Sequence, residues 1–357
     1  MAKSVLVAMS GGVDSSVTAA LLQDQGYQVT GATIKMWPAS KADEDARRVA
    51  DSLGLPFLVL DYQESFRREV IDLFIQEYKL GKTPNPCILC NRAIKFGLLL
   101  AEAEKAGIQF VATGHYAKII RGGGGAKLFR GQDKKRDQSY FLYTLTEDKL
   151  KKILFPLGQY SKDQIRELAK DYNLAIADKP DSQEICFLSG QDYKEFLRAQ
   201  GELPVRPGQI LDTGGKVIGR HQGIYNYTIG QRRGLGIADG IPLYVLAIDA
   251  ASNTVIAGSA QELEKKAFVV SDFNWISGRS PSADFMAEVA IRYNAQPQPA
   301  RVRALAEGRV RIEFNRPQRA IAPGQAAVVY DGDEVLGGGK ICSVCVADQG
   351  GGIIKRG

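Results

Sequence analysis

Through residues 1–200, short apolar runs alternate with stretches in which apolar positions recur every three or four residues. Residues 5–9, 29–34 and 57–60 are short and rich in Val, Ile and Leu and read as strands, while 13–25 and 42–53 read as helices. That βαβα order predicts an α/β fold with a doubly wound, mostly parallel sheet covered on both faces. Helices over 65–79 and 91–106 and a strand over 109–112 extend the pattern. Ser161 with Gln164 forms a capping box ahead of a helix over 162–173, expected to be scaffold. Gly122, Gly123, Gly124 and Gly125 lie between two β-like segments and read as the tip of a hairpin inserted at the surface.

Near Gly201 the pattern changes. Pro204, Pro207 and frequent glycines separate short β-prone runs at 216–218, 244–248 and 254–257. From about Ala267 further short runs follow, at 287–292, 301–304, 310–314 and 326–330. Three domains are expected: the α/β domain over 1–200, a small β-rich central domain over 201–266 and a C-terminal β-barrel over 267–357.

The chain has 357 residues, 45% hydrophobic and 24% charged, so it has material for a sizeable core. A net charge of +6 helps a polyanion approach without identifying one. No apolar run approaches the roughly 20 residues that span a bilayer, and the opening MAKSVLVAMS enters a strand pattern, so a soluble, cytoplasmic protein without membrane contact is expected. The five cysteines, Cys87, Cys90, Cys186, Cys342 and Cys345, are too few for a disulfide scaffold and point to reactive or metal-binding thiols.

Ser10-Gly11-Gly12-Val13-Asp14-Ser15-Ser16 joins the first strand to the first helix. Unpaired N–H groups and the helix dipole favour a phosphate there, glycines admit close approach, and serine hydroxyls add donors. The Gly-Lys-Ser/Thr ending of a P-loop is absent, and so is a Rossmann fingerprint. Asp14 stands where a contact to Mg²⁺ and pyrophosphate is useful. The string SGGVDSS resembles the pyrophosphate-binding loop (PP-loop) of the ATP pyrophosphatases, which cleave ATP between the α- and β-phosphates and adenylate a substrate oxygen. The bland alternative is a glycine-rich turn with an N-cap serine and no ligand.

An adenylated oxygen awaits a nucleophile, for which a thiolate or persulfide is suited. Cys90 ends the stretch Thr83-Pro84-Asn85-Pro86-Cys87-Ile88-Leu89-Cys90 just before the predicted helix, so its thiolate is expected to gain from a helix N-terminus. Cys186 sits in Asp181-Ser182-Gln183-Glu184-Ile185-Cys186-Phe187, a loop-like stretch. Cys342 and Cys345 form a second C-x-x-C. A zinc site shared with Cys87 and Cys90 would have to bridge domains, and Ile341, Val344 and Val346 favour buried strand residues instead.

With SGGVDSS, NPCILCNRAIKFG, ATGHYA, DQSYFLY, DSQEICF and YTIGQRRGLGI in this order, the chain resembles the bacterial tRNA-specific 2-thiouridylase (MnmA) family over nearly its whole length. The resemblance implies a tRNA sulfurtransferase that uses ATP and Mg²⁺ to 2-thiolate the wobble uridine of Lys, Glu and Gln tRNAs. It implies Cys90 as nucleophile and Cys186 as persulfide carrier, the two forming a transient disulfide, with Asp14 as a third catalytic group. A sulfur-relay protein or cysteine desulfurase would load Cys186. ATP would be held by Ala8, Met9, Ser10, Gly11, Gly12, Val13, Asp14 and Ser15, by the backbone near Ile34 and by Gly114. Asn85, Pro86 and Cys87 would line the pocket of a flipped-out base. His115, Arg136, Asp137 and Gln138, with Arg292, Tyr293 and Gln325 from the barrel, would touch tRNA, and Arg232 and Arg233 would lie near its backbone.

Other readings stay open on the residues. Many relatives carry aspartate where this chain has Cys87, and Cys87, Cys90 and Cys186 could together hold an iron–sulfur cluster with one open iron. A PP-loop ligase delivering an amine would need no cysteine pair. A nucleotide-gated RNA-binding protein would need no chemistry. Taken alone, His115 reads as a structural histidine and residues 134–138 as a solvated turn.

Overall fold

The first strand, β1 (Ser4–Ala8), is apolar on both sides because both sides are covered. In the computed structural model, which describes residues 2–37, 42–177, 179, 185–188, 190–203, 205–237 and 241–345, Val5 and Val7 pack with Val17 and Leu21 of helix α1 (Val13–Asp24). Leu6 points the other way, onto Leu99 and Ala103. Each such fully buried aliphatic side chain contributes roughly 1.5–3 kcal/mol. Beside β1 stand β2 (Gln28–Lys35), β3 (Phe57–Asp61), β4 (Phe110–Ala112) and, after a hairpin of β5 (Ala117–Gly122) and β6 (Gly125–Arg130), β7 (Ile153–Leu154). The sheet order is β3-β2-β1-β4-β7, with every pairing parallel.

Two long helical runs cover this sheet near its C-terminal edge. One comprises Gln63–Phe66, Arg67–Ile71 and Asp72–Lys79, the other Pro86–Cys90, Asn91–Leu98 and Leu99–Lys105; the middle stretch of each is π-helical. The second run starts five residues ahead of its expected start at Asn91. Asn85 takes the N-cap and Pro86 the first helical position, where its missing N–H costs nothing.

The central module is a four-stranded sheet of β8 (Gly208–Leu211), β9 (Val217–His221), β10 (Tyr244–Asp249) and β11 (Thr254–Gly258), with Ile210, Val245 and Val255 in its core. The last module contains β12 (Glu264–Trp275), β13 (Asp284–Ala290), β14 (Gln298–Ala304), β15 (Val310–Arg319), β16 (Ala326–Asp331) and β17 (Glu334–Cys345). They close into a barrel through a β12–β17 pairing, around Phe268, Ile312, Phe314 and Ile341. The period of two along β17 turns Ile341 inward and Cys342 outward, so the expected burial of Cys342 is not found. Its thiol reaches Val269 O at 3.2 Å. The side chain of Cys345 and all of Val346 lie outside the described residues.

The glycine-tipped hairpin is more than a surface insertion. β6 joins the barrel sheet beside β17: Phe129 pairs with Glu334, Arg130 N–H donates to Asp333 O at 2.8 Å, and Lys127 meets Glu334 at 2.9 Å. Among the described residues no helix is long and apolar enough to cross a membrane.

All three modules meet at the turn before Asn85. Gly81 sits against Ile248 of β10 so closely that a Cβ would fall 2.6 Å from its Cγ2. Thr83 N–H donates to Pro323 O at 3.0 Å, and Gln325 Nε2 donates to Thr83 O at 2.9 Å. Gly324 has φ of 92°, and a Cβ on it would lie 2.9 Å from Thr83 N.

A candidate nucleotide and thiol site

Ala8 ends β1, and the N–H of the buried Met9 still donates to Ala32 O of β2 at 2.8 Å. The chain then closes on itself. Ser10 N–H donates to Ser15 Oγ at 3.1 Å, and the hydroxyls of Ser15 and Ser16 donate to Gly12 O at 3.0 Å. Gly12 is the N-cap of α1 and no side chain caps the helix, so the N–H groups of its first turn are left for an outside acceptor. Gly114, just past β4, packs against this turn; a Cβ there would lie 3.0 Å from the carbonyl carbon of Asp14 and 3.1 Å from Ser15 N. Ile34 is near the end of β2, so the expected nucleotide residues share the C-terminal edge of one parallel sheet, where open α/β folds bind ligands.

Asp14 is not isolated. Its Oδ1 accepts from Tyr116 Oη at 2.7 Å and from Lys162 Nζ at 2.9 Å, and Lys162 is only 6% exposed. The capping box at Ser161 and Gln164 is present, but the helix Lys162–Asp171 is not merely scaffold, because its first residue points at the loop. The sequence carried a sign of this: a lysine in a first turn opposes the helix dipole and calls for a partner elsewhere. Lys179 also reaches the loop, donating to Gly11 O at 2.9 Å and to Asp45 at 2.6 Å.

Cys87 lies in the first turn of the helix that Asn85 caps, and Cys90 lies one turn deeper. Cys90 is buried, its Sγ 3.8 Å from Met36 Sδ just past β2, which sets the thiols at the same sheet edge as the loop. The expected lowering of its pKa is overturned. Burial pushes the Cys90 thiol up to about 12; Lys95 pulls it down, and Cys186 and Cys87 push it further up. Cys87 and Cys186 present surface to solvent, yet enough protein surrounds each sulfur that burial is the largest influence and raises both. Lys95 acts on all three thiols, and Cys186 acts on both Cys87 and Cys90, so the three lie within electrostatic reach of one another. No local signal in the sequence marks Lys95 for this place. Among the described residues no three His, Cys, Asp or Glu side chains are placed to share a metal ion, and nothing in the structure supports the iron–sulfur reading. Asp181, Ser182, Gln183 and Glu184 of the second cysteine motif lie outside the described residues.

The expected tRNA contacts divide. His115 is buried between Phe96 and Phe155, hydrogen-bonded to Thr113 Oγ1 at 2.7 Å, and burial followed by Lys95 holds its pKa well below the usual range. Asp137 is buried, accepting from Gly131 N–H, Ser139 N–H and Ser139 Oγ at 2.9, 3.1 and 2.9 Å and pairing with Arg130. Gln138 Oε1 accepts from Tyr116 N–H at 3.1 Å, behind the tyrosine that holds Asp14. Gln325 is engaged with Thr83 and Pro86 is buried. These side chains hold the site's frame. Arg292 is exposed and donates to Arg319 O at 3.0 Å, Arg136 is half-buried, and Arg232 and Arg233 are exposed on the central module. Tyr293 rests on Phe141 with ring centres 4.4 Å apart; burial, then Asp137, raise its pKa, and Cys87 is among the further causes.

Family models match three consecutive stretches: a tRNA methyl transferase HUP domain over residues 3–190, a tRNA methyl transferase PRC-barrel domain over 194–259 and an aminomethyltransferase beta-barrel domain over 265–341. Fold and loop together define a PP-loop protein of the HUP class carrying two β modules. The tRNA-specific 2-thiouridylases MnmA of Carboxydothermus hydrogenoformans and Acidithiobacillus ferrooxidans are 51% and 44% identical to it, over 95% of this chain in each case and 97% and 98% of theirs. The chain belongs to the tRNA-specific 2-thiouridylase (MnmA) family, a family of tRNA sulfurtransferases. Among solved structures, a 4-thiouridine synthetase–RNA complex with bound ATP superposes at a TM-score of 0.37 and 20% identity, covering 56% of this chain and 50% of that one, too distant a match to argue from.

Proposed function

We propose that the protein 2-thiolates the wobble uridine of Lys, Glu and Gln tRNAs, spending ATP to adenylate the C2 oxygen and taking sulfur from a persulfide on Cys186. What supports this reading is that Cys90 packs on Met36 at the sheet edge that also holds the phosphate-type loop, within electrostatic reach of Cys87 and Cys186. In the loop, the free N–H groups of α1 and Lys162 face the phosphates. Asp14 spends one carboxylate oxygen on Lys162 and Tyr116, and the other fits Mg²⁺, which when bound neutralises phosphate charge.

Sulfur transfer then balances without further reagents. The terminal sulfur of the Cys186 persulfide forms a bond to C2 as the C2–O bond breaks and AMP leaves. Cys90 next attacks the Cys186 sulfur; the S–S bond to the base breaks, the thiocarbonyl forms, and a Cys90–Cys186 disulfide remains. A relay protein or cysteine desulfurase would reload Cys186 once that disulfide is reduced. Cys87 and Tyr293 would flank the place for the base, with the exposed Arg292, Arg232 and Arg233 to meet RNA.

The test is mass spectrometry of tRNA nucleosides after incubation with ATP, a cysteine desulfurase with cysteine as persulfide donor, and a reductant for the disulfide. AMP and 2-thiouridine are expected in proportion, and Cys90→Ser and Cys186→Ser should each lower the product by roughly two orders of magnitude or more. Full 2-thiouridine formation in Cys90→Ser would overturn the reading; AMP release without 2-thiouridine, unchanged in Cys90→Ser, would favour an amine-delivering ligase, and tight RNA binding with unconsumed ATP a binding protein.

A further inference from the structure

We propose that Lys95 supplies the positive field in which sulfur anions at Cys87, Cys90 and Cys186 are held, making it a positioning residue for sulfur transfer. The inference rests on the sulfur-transfer reading above and adds a group to it. Lys95 follows Cys90 by five positions. In an α-helix two such side chains would point about 140° apart, away from a common target. The stretch Asn91–Leu98 is instead π-helical, and Leu99 N–H donates to Ile94 O, five residues back. A ladder of that kind brings a residue five positions on round toward the first, and its use at functional sites is common.

The consequence is a division of faces: Ile94 and Phe96 are fully buried in the core, while Lys95 is half-buried on the thiol side. Its charge reaches all three sulfurs and His115. Among the described residues no carboxylate pairs with it. Among the described residues, Tyr293 interacts electrostatically with Cys87, and His115 with Lys95. A half-buried ammonium with no carboxylate partner among the described residues is stabilised by a nearby anion, and the thiols supply one as thiolate or persulfide.

The experiment compares alkylation by iodoacetate, an anion, with iodoacetamide, its neutral counterpart, at one pH and low salt, the modified peptides being read by mass spectrometry. Both reagents need an accessible thiolate, so the ratio of their rates isolates the local field. In Lys95→Met the ratio at Cys186 and Cys87 should fall roughly fivefold. It should hold in Lys95→Arg, and at Cys342, exposed on the outside of β17, it should not change in either variant. Lys95→Gln keeps the test in force if the methionine variant fails to fold. An unchanged ratio at Cys186 after loss of the charge overturns the inference. Thiolation by Cys186→Ala would instead sink the sulfur-transfer reading while leaving the field intact.

Discussion

A thiol pushed up to about 12 by burial keeps its proton through the neutral range, so Cys90 must gain solvent or a cation before it can act. The same shift ties Cys90 to stability. Its folded pKa lies above the 9.0 of a freely solvated thiol, so the contribution is complete below pH 9 and is lost as pH rises toward 12. Between pH 9 and 11 the wild-type protein should therefore lose about 1 kcal/mol per pH unit more than Cys90→Ala, measured by urea unfolding at each pH. Parallel curves would show that the thiol is freely solvated. The cysteine pair was legible in the sequence because its motifs are local strings. The direction of the shift was not, because it depended on a helix starting at Pro86 and on core partners such as Met36 that lie far away in the chain.

Helices here are read more easily for existence than for what their ends do. Apolar spacing marks the helix Lys162–Asp171, and Ser161 with Gln164 marks its start, but neither reveals that the start aims Lys162 at Asp14. Removing the cap tests that coupling. Ser161→Ala should cost about 1 kcal/mol in thermal or urea unfolding, and ATP affinity measured by calorimetry should weaken with it, since a frayed first turn no longer fixes Lys162. Unaltered ATP affinity in a destabilised variant would separate the cap from the loop. In the helix after Pro86 the limit is of another kind: spacing of three and four residues signals a helix without distinguishing an α turn from a π turn, and Lys95 is turned by that difference.

For the whole molecule, the three-way turn at Gly81, Lys82 and Thr83 means that the thiol helix is set in place by both β modules rather than by the α/β sheet alone. Gly324→Val forces a branched side chain into a left-handed backbone and against Thr83. ATP affinity should be unchanged, whereas tRNA-dependent AMP release should fall about a hundredfold, as for a catalytic group misplaced by about 1 Å. Equal losses in both would show that the turn serves general stability instead. Apolar runs marked strands in all three modules but not β7 or β8, and no local pattern joins β6 to β17, because that pairing spans some two hundred residues of chain. It also sets an order of events on the ribosome. The edge of β6 is made long before residues 334–345 exist to cover it, so a stalled or truncated chain carries a bare strand beside Phe129, a template for aggregation that only completed translation removes.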